Sequence, residues 1–490
     1  MIHPLFLFHR YLGIAVGTLM AMWCVSGVVM MYVSYPDLQE NSRRHHLAPI
    51  VWSSCCKISD EVLADDDPVS EFQVEMLAGR PVLQLRSGRK YRLIDLVAGS
   101  VIDRVSTHQA VEVAKDFAEE ALPVAPRLLG LIDHDQWTVS GSFNADRPLY
   151  HFSMGDEMRT ELYVSSTTGH AVQITTARER FWNWVGSVPH WLYFAELRRR
   201  PSLWSQIVIL TSLIGCFLTV TGIYIGVRQL VHRPAGRWSP YCGFNLWHHA
   251  AGLFFGAFTL AWILSGLLSM NPWGWLEGAG SQPERAQLRG EPEPSGAQLK
   301  AALAAVVRGH PIDVVSLDIA PLDGRLYLIA STAGDERQRL SAGAVPTPLN
   351  DVDLAHAAGV LGGAGAAPAA LLLTREDSYY FSHHRDVARL PVYRVILGDG
   401  TRYYMDAVSG ALVAKIDHNA KAYRWLHKAL HRMDFAAPLR SRPQWDALML
   451  LLMSGVTVLC VTGVYLGYRR LVRRRSEGLI SESKREQLHY

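Results

Sequence analysis

The chain has 490 residues, a formal net charge of +3 and a mean hydropathy of +0.06. So small a net charge excludes the basic footprint of a nucleic-acid-binding protein. Six cysteines with no C-x-x-C pair offer neither a zinc nor an iron–sulfur framework.

Four apolar runs divide the chain, each reaching the roughly 20 residues that cross a bilayer core. The first, residues 11–33, opens just after His9. It is long for a signal-peptide core and lacks a small-residue cleavage site before Pro36, so residues 1–33 are expected to stay as a span. Residues 34–177 are polar and read as α+β, with helical spacing over 111–122 and strands at 81–85, 90–96, 149–154, 161–164 and 171–174. Here Cys55 and Cys56 are adjacent and poorly placed to bridge each other. Residues 178–203 carry Phe181, Trp184, Val188, Trp191 and Leu192 among polar residues, the pattern of an amphipathic interfacial helix, with His190 on it. A second span is expected at 204–227, a cytoplasmic loop at 228–245, and a third span at 246–270, opened by His248.

Residues 271–418 repeat the α+β character, with a Gly/Pro/Glu-rich linker at 277–296, a helix at 298–308 and strands at 325–329, 392–397, 402–405 and 411–416. The apolar stretch 359–373 is short, Gly/Ala-rich and carries Pro368, so it belongs to this soluble segment; His383 and His384 look like surface residues. A second interfacial helix is expected within 419–444, a fourth span at 445–468, and a cytoplasmic tail at 469–490 that is polar and mobile after Arg475. Each long segment is expected to build its own small antiparallel sheets with a helix on one face.

Arg228, Arg233 and Arg237 follow the second span, and Arg469, Arg470 and Arg473 follow the fourth. The positive-inside rule puts both termini in the cytoplasm and both long segments outside, in the periplasm of a Gram-negative cell.

The halves are duplicates. Pro148-Leu149-Tyr150 matches Pro391-Val392-Tyr393, Trp184 matches Trp425, and Gly169 and Gly410 each stand twenty-one residues before a histidine. Those histidines, His190 and His431, stand fourteen residues before Trp204 and Trp445, while His9 and His248 each head a span. Histidine is the commonest metal ligand, and ionisable side chains at span ends are functional candidates. A repeat axis along the membrane normal brings equivalent helices face to face, pairing His9 with His248 and His190 with His431. Two bis-histidine haem sites follow, with the axial iron ligands as the only catalytic residues. His249 is an alternative to His248, although alignment on Gly13 and Gly252 favours His248. His427 shares a helix face with His431, but its counterpart is Gly186. Arg198 and Arg440 lead basic clusters that pair with haem propionates or another anion, or else touch lipid headgroups. Gly13 and Gly17, with Gly252 and Gly256, permit close helix approach or make room for a porphyrin.

His9-Arg10-Tyr11-Leu12-Gly13, the twin endings Thr221-Gly222-Ile223-Tyr224 and Thr462-Gly463-Val464-Tyr465, and the strand–hairpin units resemble the PepSY-associated transmembrane family over nearly the whole chain. The resemblance implies four transmembrane helices in two duplicated halves, each with a large periplasmic α+β PepSY-like domain. In the family's reductase branch it also implies haem b held by histidines and iron released by reduction. The expected function is that of an inner-membrane, haem b-dependent reductase of a periplasmic ferric siderophore. The short tail offers no flavin domain, so electrons are expected from a quinol or a separate cytoplasmic donor. The rival reading is a haem-free membrane scaffold that binds or restrains a periplasmic peptidase or envelope protein; a permease is the weaker third, since the spans lack internal charge. The siderophore, its binding residues and the oligomeric state stay open.

Overall fold

The computed structural model describes residues 2–88, 90–118, 125–363, 369–382 and 387–486, with side chains from residue 4 to residue 472. His383, His384 and Pro368 lie outside the described residues. The chain divides into a helical unit, Met1–Ser34 with Phe181–Glu277 and Asn419–Tyr490, and a sheet unit, Tyr35–Arg180 with Gly278–His418.

Four helices of the first unit are long and apolar enough to cross a membrane: Pro4–Met30, Pro201–Val231, Gly243–Ser269 and Gln444–Val472. The first and third spans each pack against both the second and the fourth, so repeat-equivalent helices lie diagonally across the bundle. Pro201 sits in the first turn of the second span, where its missing N–H is no loss. The first helix begins at Ile2 and the third at Gly243, so His9 and His248 lie inside their spans and not at their heads. The fourth helix runs on to Glu486 through the segment expected to be a mobile tail. Residues 473–486 contain no proline, and each added residue of a growing helix gains a hydrogen bond.

The two segments read as interfacial helices are broken. The first consists of Ala177–Val185, Ser187–His190 and Ala195–Arg198. Gly186 leaves helical geometry at φ −95° and ψ −101°, and Leu192 takes a left-handed φ of 51°. The second is His418–Tyr423, a π-turn at Arg424–Ala429, and Leu430–Arg432, ended by Met433 at a left-handed φ of 55°. Both stops fall two residues after a candidate histidine.

In the sheet unit, β1 (Glu71–Leu77), β2 (Arg80–Ser87), β3 (Lys90–Asp95) and β4 (Ser100–Ile102) form a meander. The strands β5 (Arg127–Ile132), β6 (Leu149–Ser153), β7 (Glu161–Ser165) and β8 (Ala171–Thr175) form a separate four-stranded sheet. The second half supplies β9 (Val314–Ile319), β10 (Tyr327–Thr332) and β11 (Arg337–Ser341), then a matching four-stranded sheet of β12 (Ala370–Leu373), β13 (Val392–Ile396), β14 (Arg402–Asp406) and β15 (Leu412–Ile416). Each half thus keeps one sheet of its own, but the third sheet is shared. Its order is β11-β10-β9-β1-β2-β3-β4, joined where β1 meets β9 with Gln73 opposite Asp318 and Glu75 opposite Ser316. Pairing β1 with β9 satisfies backbone N–H and C=O groups that each strand would otherwise leave open at a sheet edge.

Helix Thr107–Asp116 begins four residues before its expected start, because Ser106 and Gln109 form a reciprocal capping box. Ser295 and Gln298 do the same for Gly296–Gly309. The presumed linker contains helix Gln282–Arg289, whose Leu288 is buried with Leu322, Val395 and Tyr403. Cys55 and Cys56 form a disulfide across a cis peptide bond, with Cα atoms 3.1 Å apart. The pair was expected to be apart because a trans peptide turns neighbouring side chains to opposite sides.

Candidate cofactor site

Four histidines meet as two pairs in the helical unit. The rings of His9 and His248 have centroids 6.4 Å apart, and those of His190 and His431 6.1 Å apart. A metal–imidazole bond of about 2 Å puts a ring centroid about 3 Å from the ion, so two rings ligating one ion from opposite sides stand about 6 Å apart. Both pairs have the spacing that an axial bis-histidine site needs.

Each ring is turned by repeat-matched bonds. His9 donates from Nδ1 to the carbonyl of Leu218 at 3.1 Å, and His248 from Nδ1 to that of Leu459, also at 3.1 Å. The hydroxyls of Thr221 and Thr462 donate to the same carbonyls, at 2.9 and 3.1 Å. Donation at Nδ1 fixes the tautomer whose Nε2 carries the bare lone pair, the form that ligates. Close approach depends on two glycines of the twin Thr-Gly motif. A Cβ on Gly222 would stand 2.6 Å from His9 Cε1, and one on Gly463 would stand 3.0 Å from His248 Cε1.

The other pair uses a different device. His190 Nδ1 donates to the carbonyl of Trp23 at 3.1 Å, with Ser26 Oγ also at 3.1 Å. His431 Nδ1 meets Ser265 Oγ at 2.9 Å and the carbonyl of Trp262. Ser26 and Ser265 each lie seventeen residues after the first histidine of their half. The indole of Trp204 donates to the carbonyl of Trp191 at 2.9 Å, and that of Trp445 to the carbonyl of Arg432 at 2.7 Å. Each indole therefore ties down the residue that follows the histidine. Burial pushes His190 down to about 4 and His431 to about 3, so both rings are neutral at ordinary pH. Met31, Met433, Met449 and Met453 form a buried cluster with Leu452 in the same unit.

Two alternatives separate. His249 has both ring nitrogens engaged, Nε2 with the carbonyl of Gly226 at 2.9 Å and Nδ1 with Ser239 Oγ at 2.8 Å. It has no lone pair to spare for a metal, and His248 is the ring that faces His9. His427 donates from Nδ1 to the carbonyl of Ser265 at 2.9 Å, with its ring 5.8 Å from His431. It stands beside the second pair, with Gly186 as its counterpart in the first half.

A cavity of about 620 Å³ holds the first pair, within the range of pockets that bind small molecules and cofactors. Gly13, Gly17, Gly252 and Gly256 all line it, which favours the roomy reading of these glycines. They also touch neighbouring spans: a Cβ on Gly256 would stand 3.0 Å from Ile223 Cγ1. Arg10, Arg469 and Arg470 line the same cavity and give it a cationic side suited to carboxylates. A flat, largely apolar ring with acidic side arms and an iron that takes two nitrogens therefore fits the donors, the space and the charge.

Arg198 lies over the rings of Tyr193 and Trp204, 5.2 and 4.7 Å from their centroids. Arg440 Nε lies 3.5 Å from the carbonyl of Asp434. The sequence reading missed Arg10, Arg469, Arg470, Ser26, Ser265 and the two tryptophan tethers. All but the arginines sit at repeat-matched positions, and that signal was present.

A family model described as the PepSY-associated TM region matches residues 6–470. No curated protein matches the chain.

Proposed function

As a member of the PepSY-associated transmembrane family, to which this chain belongs, we propose that the protein binds two b-type haems, between His9 and His248 and between His190 and His431, and reduces an Fe(III)–siderophore complex. Haem bound at these sites would supply one-electron oxidation and reduction of iron. The chain's own residues do the rest. Leu218, Leu459, Trp23 and Trp262 accept the Nδ1 protons and hold four Nε2 lone pairs ready. The glycine faces leave space for a planar ring, and the methionine cluster excludes water. Arg10, Arg469 and Arg470 are the propionate partners proposed for the first site, with Arg198 and Arg440 kept for the second.

The basic ends of the second and fourth spans support a bacterial inner-membrane orientation, with both termini in the cytoplasm and the sheet unit in the periplasm. On this reading electrons enter from a quinol or a cytoplasmic donor and leave to a periplasmic acceptor. Hard oxygen ligands hold Fe(III) better than the softer Fe(II), so one-electron reduction loosens the complex and frees the metal. No general acid or covalent intermediate is required.

The observation that carries this reading is the matched pairing, two sets of facing rings with mirrored Nδ1 partners. The test is an optical spectrum of the detergent-purified chain, oxidised and dithionite-reduced, with a pyridine haemochrome count. Two haems per chain and a sharp reduced α-band are expected. Absence of haem after supply during expression would sink the reading and favour the haem-free scaffold.

A further inference from the structure

The four-stranded sheets of the two halves are copies, and their divergence at one spot points to a ligand. In the first sheet Asp135, His151 and Glu161 each offer a ligand atom, all within 4.8 Å of one another. Asp135 follows β5, His151 is on β6 and Glu161 opens β7. Each is oriented through an atom the site does not use, or through its ring. Asp135 Oδ1 accepts from the backbone N–H of Trp137 at 2.9 Å and from the Thr138 hydroxyl at 2.9 Å. Glu161 Oε1 pairs with Arg180 at 3.2 Å. The His151 ring stacks on Tyr163 at 4.5 Å, with 6° between planes. Asp135 Oδ2, Glu161 Oε2 and His151 Nε2 come together, with His151 Nε2 and Glu161 Oε2 3.0 Å apart in a hydrogen bond that a bound ion would replace. The buried Tyr163 hydroxyl reaches both carboxylates, Asp135 at 2.6 Å and Glu161 at 3.2 Å, but has only one proton to give.

The sister site shows what has changed. There Asp377 holds the place of Asp135, accepting from the N–H groups of Tyr379 and Tyr380 and from the Tyr404 hydroxyl at 2.7 Å. Arg394 sits opposite Tyr404 as His151 sits opposite Tyr163, and Arg402 opens β14 as Glu161 opens β7. Both arginines reach Asp377 Oδ2, at 2.9 and 3.5 Å. One sheet thus surrounds its aspartate with two guanidinium cations. The other has an imidazole and a second carboxylate in their places, with Arg180 on the far oxygen of Glu161, so fewer guanidinium cations face more carboxylate.

We infer that Asp135, His151 and Glu161 form a binding site for a divalent first-row transition ion, which supplies the positive charge that the sister site takes from arginine. One nitrogen and two carboxylate oxygens suit Mn(II), Fe(II) or Zn(II), with water completing the shell; Ca(II) asks for six to eight oxygens. The oriented outer atoms are the outer-shell partners such sites use. The site stands apart from the haem reading. Only the idea that Fe(II) freed by reduction lodges here rests on that reading.

The test is equilibrium dialysis of the full-length chain in detergent against Zn(II), wild type beside the double variant His151→Arg/Glu161→Arg. The variant installs the sister site's own residues around Asp135, so its thermal melting should stay close to wild type. The wild type should hold one more Zn(II) per chain than the variant. Asp135→Asn alone should weaken that Zn(II) by more than about 100-fold, beyond the roughly 10–100-fold lost with an outer-shell partner. Equal Zn(II) in wild type and in both variants would overturn the assignment. Haem content is read separately and moves with neither outcome.

Discussion

At the scale of single residues, the candidate site is a matter of which ring nitrogen is free. A histidine that donates at Nδ1 offers Nε2, and one hydrogen-bonded at both nitrogens offers nothing. His248 and His249 are neighbours in sequence, yet only the first meets that condition. Replacing His190 or His431 with Ala should lower the haem count by one per chain, while His249→Ala should leave it unchanged. A pyridine haemochrome assay decides this, and unchanged haem in both His190→Ala and His431→Ala would remove the second site. The four ligand candidates were legible because they recur at matched offsets. Their carbonyl partners were not, because backbone atoms carry no sequence identity. A second residue-scale outcome concerns Asp318, opposite Gln73 at the seam between β9 and β1, where Glu75 is two residues further along β1. Burial and the nearby Glu75 push its carboxyl up to about 6. A raised acid stabilises the fold fully below its unfolded pKa of about 3.9 and loses that contribution as pH rises through about 6. Asp318→Asn should therefore melt higher than wild type above pH 6, with the gain gone below about pH 4. A gain independent of pH would contradict the shift.

At the scale of elements, the spans were readable from hydropathy and the segments before the second and fourth spans were not. Both were read as continuous amphipathic helices, and both are broken by local backbone choices at Gly186, Leu192 and Met433. Those breaks set each histidine at the end of a short turn, where the indole of Trp204 or Trp445 can hold the next carbonyl. A left-handed φ on a leucine or methionine is uncommon, and propensity alone does not predict it. The glycines of the twin Thr-Gly endings act at this scale too. Gly222→Ala should push the His9 ring aside and cost the first haem while sparing the second; Gly463→Ala, with 0.4 Å more clearance, should do less harm. Optical and electron paramagnetic resonance spectra of the two variants would tell the sites apart. Retention of both haems in Gly222→Ala would mean that the ring sits elsewhere.

At the scale of the whole molecule, the halves are not self-sufficient. In the helical unit the first span packs on the fourth as well as on the second, and the third span packs on both. In the sheet unit β1 of the first half joins β9 of the second. Each half alone would expose a strand edge and half of every histidine pair. Expressed as two chains divided in the loop at residues 232–242, the halves should co-purify, and neither should be stable or hold haem by itself. A haem-loaded single half would refute this interdependence.

Hydropathy, repeat offsets and the family motif determined four spans, the duplication and the identity of the paired histidines, because periodicity and spacing are properties of the chain itself. The tertiary structure alone decided that both ring nitrogens of His249 are engaged and that the two halves share a sheet. It alone brought Asp135, His151 and Glu161 together. These depend on contacts between residues far apart in the chain, and a one-dimensional pattern does not record distance in space.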